Sequence, residues 1–244
     1  MIRANLILLM ILLSTNFAKA DVAADLLKAS DRGRGGIDEG LTWTIEIQTT
    51  EDGETSTRGF IVKAKDHDAY VEAQAPARFK GEIYIFNDRN MWFYKPSVRK
   101  PISISSRQKL SGQAANGDIA STHYARDYKP TLIGTDNING EKVQILLLKA
   151  NRDNLTYDQI KYYISEKSKL ALKVEFLTLQ GQVFKVGVME YNNNLKLRGE
   201  DVSFVSRLTI TDAKFKENKS VLIYSNPKLD EINNKIFNVN NLSR

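Results

Sequence analysis

The chain contains no cysteine. Disulfides, cysteine zinc sites, iron–sulfur clusters and thiol catalysis are therefore excluded. The thioether lipid anchor of a bacterial lipoprotein is excluded with them. Histidine is almost as scarce: His67 and His123 are the only two, and both lie in polar, turn-like sequence. Asp66-His67-Asp68 offers three donor groups in a row, but adjacent residues on one turn rarely converge on a metal. A serine hydrolase needs a nucleophile, a histidine base and an orienting acid. The Gly-x-Ser-x-Gly elbow is missing, so His123 with Asp118 or Asp127 is the only imaginable fragment of a triad. No phosphate loop or dinucleotide fingerprint occurs. The 29 acidic residues offer many carboxylate pairs, none singled out by its pattern. No basic run with interleaved aromatics marks a nucleic-acid surface. The expectation is a protein without catalytic residues, metal or cofactor, hence not an enzyme.

The first twenty residues read differently from the rest. Arg3 precedes an apolar run from Leu6 to Leu13, and the segment ends in Ala18-Lys19-Ala20. A basic start, a short apolar stretch and small residues at −3 and −1 form a secretory signal peptide, cleaved between Ala20 and Asp21. The apolar run, roughly eight to twelve residues, is short of the ~20 needed to span a bilayer, which disfavours the alternative of a membrane anchor. The expected product is a soluble periplasmic protein of one domain, residues 21–244, without a lipid anchor. Its formal charge falls from +6 to about +4 because Arg3 and Lys19 leave with the signal. Such a balance suits mild attraction to anionic lipid head groups and is also ordinary for the compartment.

Past a short helix predicted from Asp21 to about Ser30, with Val22, Leu26 and Ala29 on one face, the dominant period is two. Leu41, Trp43, Ile45 and Ile47 alternate with Thr42, Thr44, Glu46 and Gln48, as in a half-buried strand. Phe60, Val62 and Ala64 share one face of a second strand. Further strands are predicted over 70–75, 82–87, 91–94, 142–150, 157–165, 170–179, 182–191, 204–212 and near 220–224. In the strand from Leu170, Val174 and Phe176 fall on the apolar side. A short C-terminal helix is expected over Pro227 to Ile236. The pattern is that of one large curled antiparallel sheet, mainly β with a few covering helices. Residues 101–131 interrupt it; long irregular insertions of this kind are usually functional or disordered.

A curled sheet with one apolar face and few helices to cover it either fills its interior with side chains or encloses a cavity. In the periplasm the fitting apolar cargo is an acyl chain, worth roughly 0.8 kcal/mol per buried methylene. A chain of about fourteen carbons thus offers on the order of 10 kcal/mol before ordering costs. Trp43, Ile45, Ile47, Phe60, Val62, Trp92, Tyr94, Val174 and Phe176 are the lining candidates. The cluster Trp92, Phe93, Tyr94, Pro96, Arg99 and Lys100 joins aromatic area to positive charge, a patch suited to an amphipathic ligand with an anionic head or simply an aromatic strand followed by a basic turn.

From Met91 to Asp118 the chain resembles the LolA/LolB-like outer-membrane lipoprotein-sorting proteins, in a divergent periplasmic branch. The resemblance is carried by Trp92, Tyr94, Pro96 and Arg99, then Gly117-Asp118 and Asp127-Tyr128, with Ile236-Phe237 and Asn241-Leu242 at the end. It implies an unclosed β-barrel of about eleven antiparallel strands lidded by helices. It further implies an apolar concavity that shelters acyl chains of a lipid or lipoprotein in transit toward the outer membrane, and no catalysis. An inner-membrane export permease and an outer-membrane acceptor are the implied partners of a monomeric carrier; a non-enzymatic accessory protein of such a permease is the alternative. Pro96, Arg99, Gly117, Asp118, Asp127 and Tyr128 would form a motif that fixes or gates a loop, with the two aspartates capping helix ends or bonding loop backbone.

Overall fold

The computed structural model describes residues 22–87, 90–98, 100–120 and 122–243. The cleavage-site pair Ala20 and Asp21, and Arg99 of the family motif, lie outside the described residues.

The chain opens with a helix, α1, over residues 22–32. A run of antiparallel strands follows: β1 (Leu41–Glu51), β2 (Glu54–Lys65), β3 (Asp68–Ala75), β4 (Ile83–Asn87), β5 (Asn90–Tyr94) and β6 (Ile102–Ile104). The inserted segment holds two short strands, β7 (Lys109–Ser111) and β8 (Ala114–Ala115), a 3-10 turn (Asn116–Ile119) and the single-turn helix α2 (Tyr124–Asp127). The meander resumes with β9 (Tyr128–Ile138), β10 (Glu141–Ala150), β11 (Gln159–Ser165), β12 (Ala171–Leu177) and β13 (Val183–Glu190). A separate hairpin, β14 (Asn193–Leu197) and β15 (Glu200–Phe204), precedes β16 (Arg207–Asp212) and β17 (Lys219–Leu229).

Thirteen strands form one sheet in the order β6-β5-β4-β3-β2-β1-β17-β16-β13-β12-β11-β10-β9. Strand β17 returns to pair with β1 and so joins the two meanders. The ladder does not close, because β6 and β9 stay at opposite edges. The two-residue turns at Asp52-Gly53, Asn139-Gly140 and Arg198-Gly199 have both residues at positive φ, the geometry that suits the twist of tight hairpins.

Register places one apolar face on a single side. Trp43 lies opposite Val62, Val62 opposite Val71, Val71 opposite Tyr84 and Tyr84 opposite Phe93. In the other direction Ile45 faces Tyr224, and Gly187, Val174, Tyr162, Leu146 and Leu132 follow one another across β13 to β9. Three separate pieces cover this inner face: α1 through Ala23 and Leu27, the insertion through Ala114, Ile119, Ala120 and Tyr124, and the β14–β15 hairpin through Leu195, Leu197 and Phe204.

Four expectations are corrected. The buried side of α1 is Ala23, Leu27, Ser30 and Asp31, whereas Val22 is exposed and Leu26 half-buried; the apolar stripe predicted from spacing is the outward one. The segment from Pro227 is not a helix. Strand β17 continues through Leu229, with Asn226 at φ 55 and a register break opposite β1 between Thr42 and Thr44, a bulge that tolerates a proline without an N–H. Only 3-10 turns follow, Asn234–Phe237 and Val239–Ser243. The strand expected over 204–212 is split between β15 and β16, and β9, which the period of two does not predict, begins inside the irregular stretch 101–131. The C-terminal segment instead crosses the outer face of β3 and β4, where the Asn87 amide donates to the Phe237 carbonyl at 3.1 Å and Ile85 and Phe237 are buried.

Candidate functional site

Seven of the nine lining candidates share the inner face. Trp43, Ile45, Ile47, Phe60, Val62, Val174 and Phe176 are all buried in one continuous cluster. Trp43 meets Phe204 of the β14–β15 hairpin edge-on at 5.8 Å, and Tyr157 stacks on Phe176 at 3.9 Å. Trp92 and Tyr94 do not join them. Met91 and Phe93 take the inward positions of β5, and the period of two turns Trp92 and Tyr94 to the outer face opposite Ile85 and Ile83. The aromatic-basic patch is thus divided between two faces, and Pro96 stands apart, beside Gly81.

The motif residues of the insertion gather at one place. Asp118 is buried, its carboxylate accepting from the Ala115 N–H at 2.8 Å and from the Tyr157 hydroxyl at 2.9 Å. Burial raises its pKa in spite of Lys185 and these donors, which pull the other way. Gly117 lies against Thr156 so closely that a Cβ would stand 1.9 Å from Thr156 Oγ1; the position admits no side chain. Tyr128 is buried and donates to the Tyr157 carbonyl at 3.1 Å. Asp127 is buried beside Arg126, Nε to Oδ1 2.9 Å. These contacts tie the insertion to the loop before β11.

At the centre of the cover lies a polar constellation that the sequence reading missed. Asp31, at the end of α1, accepts from the Ala125 N–H at 2.7 Å and so caps α2 from a distant part of the chain. Its other oxygen is buried without a hydrogen-bond partner. Burial pushes its carboxyl up to about 7. Arg34 sets its guanidinium 4.2 Å from the centre of the Tyr124 ring and donates to the Tyr162 hydroxyl at 3.4 Å. Tyr162 and Tyr224 lie in the same buried neighbourhood, and burial raises both hydroxyls. The signal in the sequence is Asp31-Arg-Gly-Arg-Gly-Gly36, whose three glycines favour a turn. A Cβ on Gly36 would sit 2.9 Å from the carbonyls of both Asp31 and Thr122, so glycine lets three backbone segments converge here.

The two histidines come together across elements far apart in sequence. Their rings meet edge-on at 4.6 Å, joining the β2–β3 turn to the insertion. Burial, with His67 and Arg126 nearby, lowers His123 to about 4. His123 Nε2 is buried without a hydrogen-bond partner, and among the described residues no cluster of three or more His, Asp or Glu fits a metal.

A shallow groove of about 570 Å³ runs outside α1. Val22, Leu26, Ala29 and Leu132 line it together with Asp25, Gln144, Glu166 and Lys169. Its size falls in the ordinary range for ligand sites, and its apolar wall is the helix face the sequence had singled out. Among the described residues no helix is long and apolar enough to cross a membrane.

Residues 65–244 match the model of a family described as an uncharacterized protein. No curated protein matches the chain in sequence. Among solved structures, it is similar to a LolA superfamily protein from Nitrosomonas europaea, 28% identical with a TM-score of 0.80, covering 90% of this chain and 98% of that one. A putative outer membrane lipoprotein-sorting protein domain from Vibrio parahaemolyticus shares the fold at 19% identity and a TM-score of 0.77, covering 92% and 100%. So does a DUF1329 family protein from Desulfovibrio piger, at 18% identity and a TM-score of 0.76, covering 92% and 99%.

Proposed function

The chain belongs to the family whose model it matches and is a divergent LolA-like protein; from this premise we propose that it binds the acyl chains of a lipid or lipoprotein and carries them across the cell envelope. It is exported, released by cleavage between Ala20 and Asp21, and works in the periplasm as a monomer without catalysis. Its cargo comes from an inner-membrane permease or passes to an outer-membrane acceptor.

The observation that carries this reading is the imbalance between sheet and cover. Thirteen strands present one apolar face, and three small, separately connected pieces close it where a second sheet would be the usual partner. Lifting α1 would expose Ala23 and Leu27 and break the Asp31–Ala125 bond. Fully exposing a leucine costs about 1.5–3 kcal/mol, and losing the hydrogen bond costs about 0.5–1.5 kcal/mol with the carboxyl neutral or about 1.5–3 kcal/mol with it charged. An acyl chain of about fourteen carbons offers on the order of 10 kcal/mol in return. The groove beside α1, lined by Val22, Leu26 and Leu132, is the natural path of approach, with Trp43, Phe60, Val174 and Phe176 as the deeper seat.

Native mass spectrometry of the protein recovered from the periplasm without detergent, with organic extraction, tests the proposal. A stoichiometric lipid or acylated peptide is the expected result. A clean ligand-free mass, together with failure to take up a fluorescent fatty acid, would overturn it. The filled inner face would then favour the accessory role at a permease.

A further inference from the structure

Two neighbouring hairpin turns carry apolar side chains that the fold leaves uncovered. The β12–β13 turn presents Leu179, 68% exposed, with Val183 and Phe184 at 37% and 36%. The β16–β17 turn presents Phe215, 48% exposed, between Lys214 and Lys216. The Ala213 N–H donates to the Phe184 carbonyl at 3.0 Å, which stitches the two turns into one rim. Clustered exposed apolar residues mark interaction sites where single ones do not.

The chemistry of the rim narrows its partner. From Thr178 to Phe184 no residue is charged. The Lys214 ammonium lies 5.0 Å from the centre of the Phe215 ring, and Lys216 is exposed on the other side. The nearby Asp212 carboxylate turns back to accept from the Lys214 and Phe215 N–H groups at 2.8 and 2.9 Å; the acids exposed at this end are Glu217 in the turn itself and Asp52 and Glu54 on the adjoining β1–β2 turn, where Asp52 accepts from the Asn218 amide at 3.2 Å. Leu179 and Phe215 sit on the two turns, and Val183 and Phe184 at the start of β13. Apolar tips flanked by lysines match the interface of an anionic bilayer, where the rings enter the acyl boundary and the ammonium groups stay among the head groups.

Behind the rim opens a crevice of about 380 Å³ lined by Leu177, Leu179, Phe184, Lys185 and Tyr157, with Arg107 paired to Asp158 at 2.7 Å. Tyr157 at its floor stacks on Phe176 of the inner face. We propose that this rim is a membrane-docking surface, by which the protein seats itself on an anionic bilayer with the crevice turned toward the lipid. Docking stands apart from the cargo proposal; only its purpose, bringing the protein to its lipid, rests on that reading.

Cosedimentation with vesicles of phosphatidylcholine alone, or with about a third phosphatidylglycerol, tests it. The expected result is partition onto the anionic vesicles that weakens as salt is raised. Leu179→Ser with Phe215→Ser should lower the partition about tenfold or more. Lys214→Gln and Lys216→Gln should each lower it about fivefold. Ile133→Ser, an equally exposed apolar residue on β9, should leave it unchanged. All variants should melt with the wild type, since the altered tips are exposed. The proposal is overturned if the wild type ignores anionic vesicles, if the Leu179/Phe215 variant binds them within twofold of wild type, or if the lysine variants bind as the wild type does. Should that double variant lose a protein partner while keeping vesicle binding, the rim is a protein contact instead. Fatty-acid uptake measured in parallel reports on the cargo proposal alone, so the two can fail separately.

Discussion

Asp31→Asn should make this protein more stable, and only above mildly acidic pH. The wild-type carboxyl accepts one bond from Ala125 and leaves its second oxygen buried without a partner. Burial moves its ionisation from the ordinary 3.8 up to about 7. Between those values the folded chain holds a proton that the unfolded chain has released. Stability from this group is therefore complete below about pH 4 and is lost as pH rises toward 7. At about 1.4 kcal/mol per pH unit, the loss over a window of roughly three units reaches about 4 kcal/mol as an upper bound. Asparagine keeps the accepting oxygen and the shape, and it does not ionise. Urea unfolding followed by circular dichroism from pH 4 to pH 8 should show the variant close to wild type at the acid end and increasingly more stable above it. The melting temperature at pH 8 should rise by about 2–4 °C for each kcal/mol gained. The reasoning fails if the variant is the less stable protein at pH 8 and the deficit grows with pH. Asp31 would then be ionised in the fold, sustained by Arg34.

Gly117→Ala should cost about 1–3 kcal/mol by overpacking against Thr156, seen as a lowered melting temperature; an unchanged melt would mean that the insertion shifts freely. Asp118→Ala removes the acceptor shared by Ala115 and Tyr157 and should cost about 2–4 kcal/mol. If the melt instead stays put while fatty-acid uptake changes, Asp118 gates the cavity. His123, lowered to about 4 from an ordinary 6.5, makes the fold lose stability as pH falls from about 6.5 to 4. His123→Gln should flatten that part of the stability profile by up to about 3 kcal/mol, and an unflattened profile would place the acid sensitivity elsewhere.

The sheet was legible because its inner residues repeat every second position. Leu41 to Ile47 and Leu170 to Phe176 leave no other reading, and the LolA-like resemblance agreed with them. The failures came where period and context part. Val22, Leu26 and Ala29 form a proper helical stripe, but Ala23 and Leu27 form another, and a helix apolar on two sides does not announce which one faces inward. Leu229, Ile232 and Ile236 have helical spacing, yet Asn226-Pro227 makes a bulge and the chain stays extended. Strand β9 was hidden because Lys129, Thr131, Ile133 and Thr135 mix polar and apolar types on an edge facing little. Trp92 was placed on the wrong face because Met91 and Phe93 compete for the same inward positions. The Asp31–Arg34 constellation could not be read at all. It depends on Tyr124 of α2 and Tyr162 of β11 arriving from distant parts of the chain, and no local spacing encodes that meeting.

In a closed barrel, strand number and stagger together fix the radius. Here β6 ends one side of the ladder and β9 the other, with no bonds between them to set a circumference. The curl of the sheet can tighten or relax by small changes of twist at every strand pair, without breaking any pairing. Its curvature is then a matter of elasticity, not of strand count. The same freedom leaves two bare edges, and both are blunted: β6 is three residues long and follows Pro101, and β9 carries Lys129, Pro130 and Asp136. Short length, proline and charge discourage another chain from completing the ring. The seam stays open as a joint of adjustable width.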